Sequence, residues 1–361
     1  MNDANELISF IASMSGEGNL RVEENLGEGY VRLRVSEAER RQAKHDIQHV
    51  EDIVIEMLRN ARDAGADKVY LATTKEEGVR TLLFLDNGSG VPQDMQERIF
   101  DARVTSKLES MKMDRWGVHG RGMALFSIKQ NTDEARVVTS GVDLGSSFKV
   151  CVATDRLGER ADQSSWPQAV KDEDGRYVCA RGPHNIIRAA CEFALEELRC
   201  CDVYLGSPSE IAATLYAQAS SRLDTSRLLF IDDECELPVI DRLGLASDAE
   251  DFIRICSGLG LEMSERTAHR ILSGQIKPVR GVTARLLRER DSTSHAPAPV
   301  DLAKDRRGLR IAKDDMAQFS RAVERDFNDL AARYYLNLCG DPKIRVSRDR
   351  ITVTFDLAKE E

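Results

Sequence analysis

The sequence predicts an α+β fold, with an α/β sandwich at the N-terminus and a mixed α/β and helical C-terminal region. Three observations support this class. A helical pattern over 36–64 is followed by strand patterns at 68–74 and 80–85. A helix at 123–130 is again followed by two strands, and the chain closes with a long helix and a hairpin-like strand pair. Helices and strands grouped in this way are typical of α+β domains.

The 361 residues are enough for two domains, or for one domain with an elaborated second half. From the order of the elements we expect four segments. These are a first domain with an N-terminal arm at 1–155, a linker and α/β segment at 156–236, a helical segment at 237–299, and a long helix plus β-hairpin at 300–361.

Composition excludes several classes of protein. The net charge of −10 argues against a protein that coats nucleic acid over its whole surface, although it allows a local basic patch. No apolar run is long enough to cross a membrane, and no basic region precedes the apolar residues 7–12, as a signal peptide would require. The eight cysteines form no Cys-x-x-Cys pair and are expected to be free thiols. We therefore expect a cytoplasmic protein that does not enter a membrane.

Local signals place the individual elements. Ser36, with Glu39 three residues later, has the spacing of a capping box and starts the first long helix. A short helix is expected at 94–100, and the polar stretch 101–122 is too long for a simple connection. The other predicted elements are strands at 30–35, 135–140, 147–154, 203–205 and 228–231, helices at 185–198, 208–219 and 314–336, a connection at 156–182, a linker at 291–300 and a hairpin at 343–346 and 351–355.

The first long helix carries Glu56, Asn60 and Asp63 on one narrow face, because spacings of four and seven residues return to the same side of a helix. Apolar residues occupy a different face, so a core-packed helix presents a polar edge. Glu56 and Asn60, one turn apart, both offer oxygen atoms that suit a water molecule and a hard cation. A solvated helix surface would show the same carboxylates.

Two glycine-containing loops follow this helix. In Asp86-Asn-Gly88-Ser-Gly90, at the end of a strand, an aspartate can accept a hydrogen bond from an amino group, and glycines let the backbone approach a flat ligand. The loop Gly117–Gly122 stands directly before a helix, where unpaired N–H groups bind phosphates. The three elements in this order predict a nucleotide site within about residues 50–150.

On these residues the sequence resembles the GHKL superfamily, which includes gyrase, the ninety-kilodalton heat-shock chaperone, histidine kinases and MutL. The segment Glu56–Ala66 is similar to the first motif in its MutL and chaperone form, and 85–91 is similar to the second. Thr105-Ser-Lys107 resembles the MutL lid, and Gly117–Gly122 the third motif of the chaperone and of the type IIB topoisomerase B subunit. Residues 145–150 resemble the last motif, with serine where threonine is usual. The resemblance implies a Bergerat-fold ATPase domain.

The resemblance also implies a role for each matching residue. Glu56 is implied as the general base for the attacking water, Asn60 as a ligand of Mg²⁺, and Asp86 as the acceptor for the adenine amino group. The remaining residues implied to contact or support bound ATP are Asp63, Gly88, Gly90, Thr105, Lys107, Gly117, Gly120, Gly122 and Ser146. MutL and gyrase also use a second-domain lysine on the γ-phosphate; no motif identifies it in this sequence, and Lys277 is a candidate.

One spacing narrows the kind of GHKL protein. A histidine kinase needs its phosphoacceptor histidine on a separate helix, whereas His45 stands only 11 residues before Glu56 and falls on the same predicted helix. A solvated helix histidine is the better interpretation. The resemblance to ATPases that close on nucleotide implies a homodimer when ATP is bound. In that case the first 45 residues are either an exchanged arm or a packed edge strand.

Residues 260–272 are similar in pattern to the turn and second helix of a helix-turn-helix, with Ser264 as the helix N-cap. Residues 261–290 hold seven basic and three acidic side chains, a local charge of +4. This segment is a candidate DNA-facing surface. An amphipathic helix pair in a connector domain would give the same pattern.

Three functional hypotheses follow. The first is a Mg²⁺-dependent ATPase whose nucleotide-driven lid closure and dimerisation act on DNA or a DNA-bound complex. The second is an ATP-driven conformational switch or chaperone-like protein with a protein client. The third is a histidine or serine protein kinase on the same fold. Salt-dependent DNA binding would separate the first from the second, and phosphate transfer to protein would reveal the third.

Overall fold

The computed structural model describes residues 22–106, 113–118, 122–223, 233–287, 313–331, 336–340, 342–346 and 351–359. The chain divides into two units, one up to Asp291 and one from Ser292 onward. The finer boundaries expected from the sequence stay predictions. The strand expected at 228–231 and the linker expected at 291–300 lie outside the described residues.

The first unit opens with the hairpin β1 (Val22–Gly27) and β2 (Tyr30–Leu33), followed by helices α1 (Glu37–Asp46) and α2 (Val50–Asp63). The middle of this unit contains β3 (Lys68–Glu76), β4 (Val79–Asp86), β5 (Val104–Thr105), β6 (Met113–Asp114), β7 (Gly117–Val118), α3 (Ala124–Asn131), β8 (Glu134–Gly141) and β9 (Gly145–Ala153). It continues with β10 (Gln168–Lys171), β11 (Tyr177–Arg181), α4 (Ile186–Glu196), β12 (Asp202–Gly206), α5 (Pro208–Arg222), α6 (Ala249–Gly258) and α7 (Glu265–Leu272).

A five-stranded mixed sheet in the order β12-β3-β4-β9-β8 forms the centre of this unit, with β12 parallel to β3 and the other pairs antiparallel. Side chains alternate between its faces. Val69 and Leu71 of β3 belong to the core that contains α2 and α4, whereas Tyr70 and Ala72 belong to the core that contains α5, α6 and α7. Helices therefore cover both faces of the sheet, and the predicted α+β class is confirmed.

The hairpin β1–β2 is joined to the rest of this unit through β5. Val31 pairs with Thr105 and Arg32 with Val104, and the backbone N–H of Leu33 donates to the carbonyl oxygen of Arg103. Residues 22–33 therefore supply the edge strand β1 and the central strand β2 of a three-stranded sheet in the order β1-β2-β5. The choice between an exchanged arm and a packed edge strand for the first 45 residues stays a prediction.

The structure corrects the single helix predicted over 36–64. Its two parts, α1 and α2, are separated at Ile47, whose backbone is extended. The Asp52 carboxylate accepts hydrogen bonds from the backbone N–H groups of Gln48 and His49, both at 2.8 Å. Because this carboxylate satisfies N–H groups outside the helix, it starts a second helix. His45 consequently lies on a different helix from Glu56, contrary to the expectation from the sequence.

Two further expectations are corrected. The helix expected at 94–100 is replaced by two 3₁₀ turns, Gln93–Met95 and Arg98–Phe100. The connection expected at 156–182 contains the hairpin β10–β11, whose strands pair from Gln168 to Lys171.

The second unit contains a long helix, α8 (Lys313–Ala331), and four short strands, β13 (Leu336–Leu338), β14 (Lys343–Val346), β15 (Ile351–Thr354) and β16 (Leu357–Lys359). β14 pairs with β15, as predicted, and β13 pairs with β16. Phe327 of α8 stacks on Phe355 with ring centroids 4.0 Å apart. The helix is shorter than expected because Leu336 belongs to a strand. In the described parts of both units, no helix has the length and apolar character needed to cross a bilayer.

A buried group of charges joins α2 to the β6–β7 hairpin and to the end of α4. The Arg59 and Arg62 side chains are only 3% and 5% exposed. Burial alone would lower the pKa of Arg62, but the neighbouring carboxylates outweigh it and raise that pKa above its usual value. The ion pairs, with N–O distances of 2.7–3.1 Å, are Arg59 with Glu56 and Asp114, and Arg62 with Asp63, Asp114 and Glu197.

We expect Gly145→Ala to destabilise the protein more than Gly78→Ala. Both glycines have a left-handed φ, of 79° and 82°. A Cβ at Gly145 would lie 2.0 Å from the Asp86 carbonyl oxygen, whereas one at Gly78 would meet nothing within 4 Å. The backbone penalty alone is about 1 kcal/mol, and the clash should raise the loss at Gly145 to about 3 kcal/mol. Urea unfolding measures both, and equal losses would contradict the described contact.

Asp114→Ala should lower the free energy of unfolding by about 3 kcal/mol, because it removes a carboxylate shared by two buried cations. The control is Glu37→Ala, which breaks an exposed pair with Arg41 and should cost less than about 1 kcal/mol. Denaturant unfolding of both variants checks the difference. If Asp114→Ala lowered the free energy of unfolding as little as Glu37→Ala does, Arg59 and Arg62 would have to be solvated rather than buried.

Candidate functional site

A cavity of about 510 Å³ lies between α2, the end of β4, β5 and the first turn of α3. This volume lies within the usual range of small-molecule sites, about 300–1,000 Å³. The residues predicted from the sequence that line it are Glu56, Asn60, Asp63, Asp86, Gly90, Thr105, Gly122 and Ser146.

Helix α2 supplies one wall. Its apolar residues, such as Ile53 and Leu58, are completely buried, and Glu56, Asn60 and Asp63 face the cavity. The shared face expected from their spacing is therefore observed. Asp63 differs from the other two because its side chain is 1% exposed and its Oδ1 contacts Arg62 Nε at 2.9 Å. Asp63 therefore lines the cavity with a carboxylate that is already paired with a cation.

Strands β4 and β9 supply the deep end. The strand register places Asp86 directly opposite Ser146, and both residues are buried, with exposed fractions of 4% and 3%. Asp86 Oδ1 accepts a hydrogen bond from the backbone N–H of Gly88 at 2.8 Å. Ser146 Oγ lies 3.0 Å from Ser140 Oγ. A buried carboxylate with a hydroxyl beside it suits a ligand that presents a polar N–H edge.

The glycines of the second loop are required by backbone packing. A Cβ at Gly90, which has φ +69°, would lie 1.8 Å from the Gly141 carbonyl oxygen. A Cβ at Gly88 would lie 2.8 Å from the carbonyl oxygen of Ala64, at the end of α2. The loop is therefore pressed between α2 and the β8–β9 turn. Gly90 lines the cavity, but Gly88 is not part of its wall.

The third glycine loop is placed only in part. Gly122, with φ +68°, closes on β5: a Cβ there would lie 2.9 Å from the Val104 carbonyl oxygen. Gly117 pairs with Asp114 in the β6–β7 hairpin. Gly120 and Lys107 lie outside the described residues, so their contact with phosphate stays a prediction. Lys277 is exposed on the loop after α7, away from the described wall.

Sequence reasoning missed Arg59, which lines the cavity and whose Nη1 lies 2.7 Å from Glu56 Oε1. The spacing of three residues was an available signal, since residues three apart on a helix are neighbours. Its second partner, Asp114, is 55 residues further along the chain, and no local pattern could identify it. Tyr30 of β2 and Glu39 of α1 also line the cavity and were not predicted.

The side chains of the cavity fit a nucleotide with bound Mg²⁺. No three His, Cys, Asp or Glu side chains come together as a metal cluster within the described ranges. Mg²⁺ does not need such a cluster, because it keeps several waters and takes phosphate oxygens, so that one protein ligand suffices. The amide of Asn60 can supply that ligand. Glycine at position 122 keeps β5 and the start of α3 close without a side chain between them.

Residues 47–152, which run from the start of α2 to β9, match the family described as histidine kinase-, DNA gyrase B-, and HSP90-like ATPase. The chain is 34% identical over 112 residues to the DNA mismatch repair protein MutL of Brucella abortus, and 32% identical over 100 residues to that of Thermodesulfovibrio yellowstonii. These alignments cover 31% and 27% of this chain. The chain spans only 18% of the length of either relative. In residues 47–152 the chain therefore carries an ATPase domain of the GHKL superfamily, similar to that of MutL.

Proposed function

We propose that this protein is a Mg²⁺-dependent ATPase whose nucleotide-driven lid closure and homodimerisation act on DNA or on a DNA-bound complex. The observation that carries the proposal is the convergence of Glu56, Asn60 and Asp86 on one cavity. The DNA side is supported by the relatives, which are DNA mismatch repair proteins.

At the deep end, the Asp86 carboxylate would accept a hydrogen bond from the adenine amino group. Its own Oδ1 is fixed by the Gly88 N–H, so the second oxygen has a defined direction. Guanine presents a carbonyl oxygen at the same ring position, which a buried carboxylate would repel. This arrangement selects adenine over guanine because the wrong base leaves a buried charge facing an acceptor.

At the opposite end, Glu56 would take a proton from the attacking water. The oxygen of that water would bond to the γ-phosphorus while the bond from the γ-phosphorus to the ADP oxygen breaks. Bound Mg²⁺ supplies charge neutralisation on the phosphates, and Asn60 would hold it one helical turn from Glu56. The contribution of the protein is mainly to position these groups.

Arg59 bears on the same step. Its guanidinium contacts Glu56 at 2.7 Å and Asp114 at 2.9 Å while remaining almost completely buried. We infer that Arg59 is a positioning residue, since it fixes the direction of the Glu56 carboxylate. Because Asp114 belongs to the β6–β7 hairpin, the position of that hairpin influences how tightly Arg59 holds Glu56.

Glu56→Ala is expected to lower steady-state ATP hydrolysis by at least about 100-fold while ATP binding persists, because it removes the base without altering the adenine end. Glu97→Ala, an exposed carboxylate outside the cavity, is the control and should hydrolyse ATP at the wild-type rate. Hydrolysis is measured with and without duplex DNA. Faster hydrolysis in the presence of DNA would support DNA as a partner of the protein. Unchanged hydrolysis in Glu56→Ala would remove Glu56 as the base, and labelled phosphate on protein would indicate a kinase instead.

Asp86→Asn should weaken ATP binding by about tenfold or more, because a hydrogen bond to a charged acceptor contributes roughly 1.5–3 kcal/mol. The preference for ATP over GTP should fall in the same variant. Asp143→Asn makes the same change on the exposed β8–β9 turn and should leave both affinities unchanged. Calorimetric titration with ATP and GTP measures both affinities. An unaltered preference for ATP over GTP would show that Asp86 does not contact the adenine.

A further inference from the structure

Helices α6 and α7 meet as two packed helices joined by a tight turn. The turn is fixed by Gly260, which has φ +84°, and by the N–H of Leu261, which donates to the carbonyl oxygen of Cys256 at 2.8 Å. Leu261 is buried, as are Ala268 and Ile271 on the inner side of α7. One face of α7 is therefore anchored in the core, and its orientation is set by α6.

Both ends of α7 are capped. The Ser264 side chain accepts a hydrogen bond from the backbone N–H of Thr267 at the start. At the end, Gly274 takes a left-handed φ of 71° and its N–H donates to the carbonyl oxygen of Ile271 at 2.9 Å. The helix is thus a rigid element with a defined length of eight residues.

The outer face of α7 is polar. Arg266, His269, Arg270 and Ser273 are exposed and line a shallow open depression together with Glu265 and Gln275. The Glu265 carboxylate lies 3.7 Å from the His269 ring. A peptide-binding groove would require exposed apolar side chains. Among the described residues of 261–287 no large apolar side chain is exposed.

Four exposed cations belong to α7 and the loop that follows it. Arg266 and Arg270 lie on α7, and Lys277 and Arg280 lie on the loop that follows it. Within the part of the chain that the structure describes, none of the four forms an ion pair, whereas the exposed Arg136, Arg156 and Arg254 each do. Exposed cations without ion pairs, concentrated on one helix and the loop after it in a protein with net charge −10, mark a surface for a polyanion.

The geometry points to duplex DNA as that polyanion. A helix with its side chains is about 10–12 Å wide, which matches the width of about 12 Å of the major groove. Arg266 and Arg270 are one turn apart, about 6 Å along the axis, close to two base steps of about 3.4 Å. A guanidinium can bind the O6 and N7 of guanine with two hydrogen bonds.

We propose that α7 is a recognition helix that enters the major groove of duplex DNA. Arg266 and Arg270 contact base edges or adjacent phosphates, and Lys277 and Arg280 contact the phosphate backbone. This inference deepens the DNA side of the proposed function and requires no ATP hydrolysis. The surface lies on the sheet face opposite α2, so DNA can bind while the nucleotide cavity is filled.

The test uses the full chain and a fluorescent duplex of about 20 bp, two helical turns, titrated over a range of salt concentrations with and without a non-hydrolysable ATP analogue. The double variant Arg266→Ala, Arg270→Ala should bind about 10- to 100-fold more weakly. The slope of log K against log salt should become shallower by about one for each lost phosphate contact.

The matched control is Arg136→Ala, Arg156→Ala, which removes the same charge from two exposed arginines paired with Glu134 and Asp133. It should change DNA affinity by less than about twofold. Thermal unfolding of both double variants checks that the fold is retained. ATP hydrolysis without DNA should be the same in both and in the wild type.

The outcomes separate the two proposals. If the wild type binds the duplex through α7 but does not hydrolyse ATP, the recognition helix stands and the proposed ATPase function falls. If ATP is hydrolysed but the duplex is not bound at low salt, or is bound equally by both double variants, the recognition helix is wrong. If a poly-glutamate peptide binds as tightly as the duplex and loses affinity in the same variant, the surface is a site for acidic proteins, which also overturns the proposal.

Discussion

Burial of the central sheet on both faces is the constraint on which the nucleotide cavity and the proposed DNA surface depend. Along β3 and β4 successive side chains enter different cores, so that Leu71 packs with α2 while its neighbour Tyr70 packs with α5. One core fixes the helix that carries Glu56 and Asn60, and the other fixes the helix that carries Arg266 and Arg270. The strands can contribute to both cores because their apolar residues are nearly continuous. This pattern is typical of a sheet that is covered on both faces.

Signals that act over three or four residues were sufficient for much of this fold. The capping box of Ser36 and Glu39 is present in the structure, and Ser264 is the N-cap of its helix, as its position in the sequence predicted. The interruption between α1 and α2 was missed because the apolar pattern continues through it, and the decisive contact is made by Asp52 with two backbone N–H groups. The β10–β11 hairpin was missed because its strands are short and its surroundings are polar.

The site shows the same division between local and distant effects. Glu56, Asn60 and Asp86 could be assigned to one cavity because helical spacing and the end of a strand fix their directions. The glycines were harder to interpret: Gly88 is needed because the loop touches Ala64, and it does not form the wall. The buried pairs of Arg59 and Arg62 with Asp114 join segments more than 50 residues apart, and the sequence alone offers no rule for such pairings.

Neighbouring residues in β9 connect the two cores. Ser146 faces the nucleotide cavity, while the hydroxyl of the completely buried Ser147 donates to the carbonyl oxygen of Leu259, at the turn between α6 and α7, at 2.8 Å. A strand has a side-chain period of two, so a slip of one residue in its pairing would exchange these two partners. Insertion or deletion of a single residue in β9 would therefore disrupt the nucleotide cavity and the support of the α6–α7 turn together. A shift of this strand cannot move one of them without moving the other.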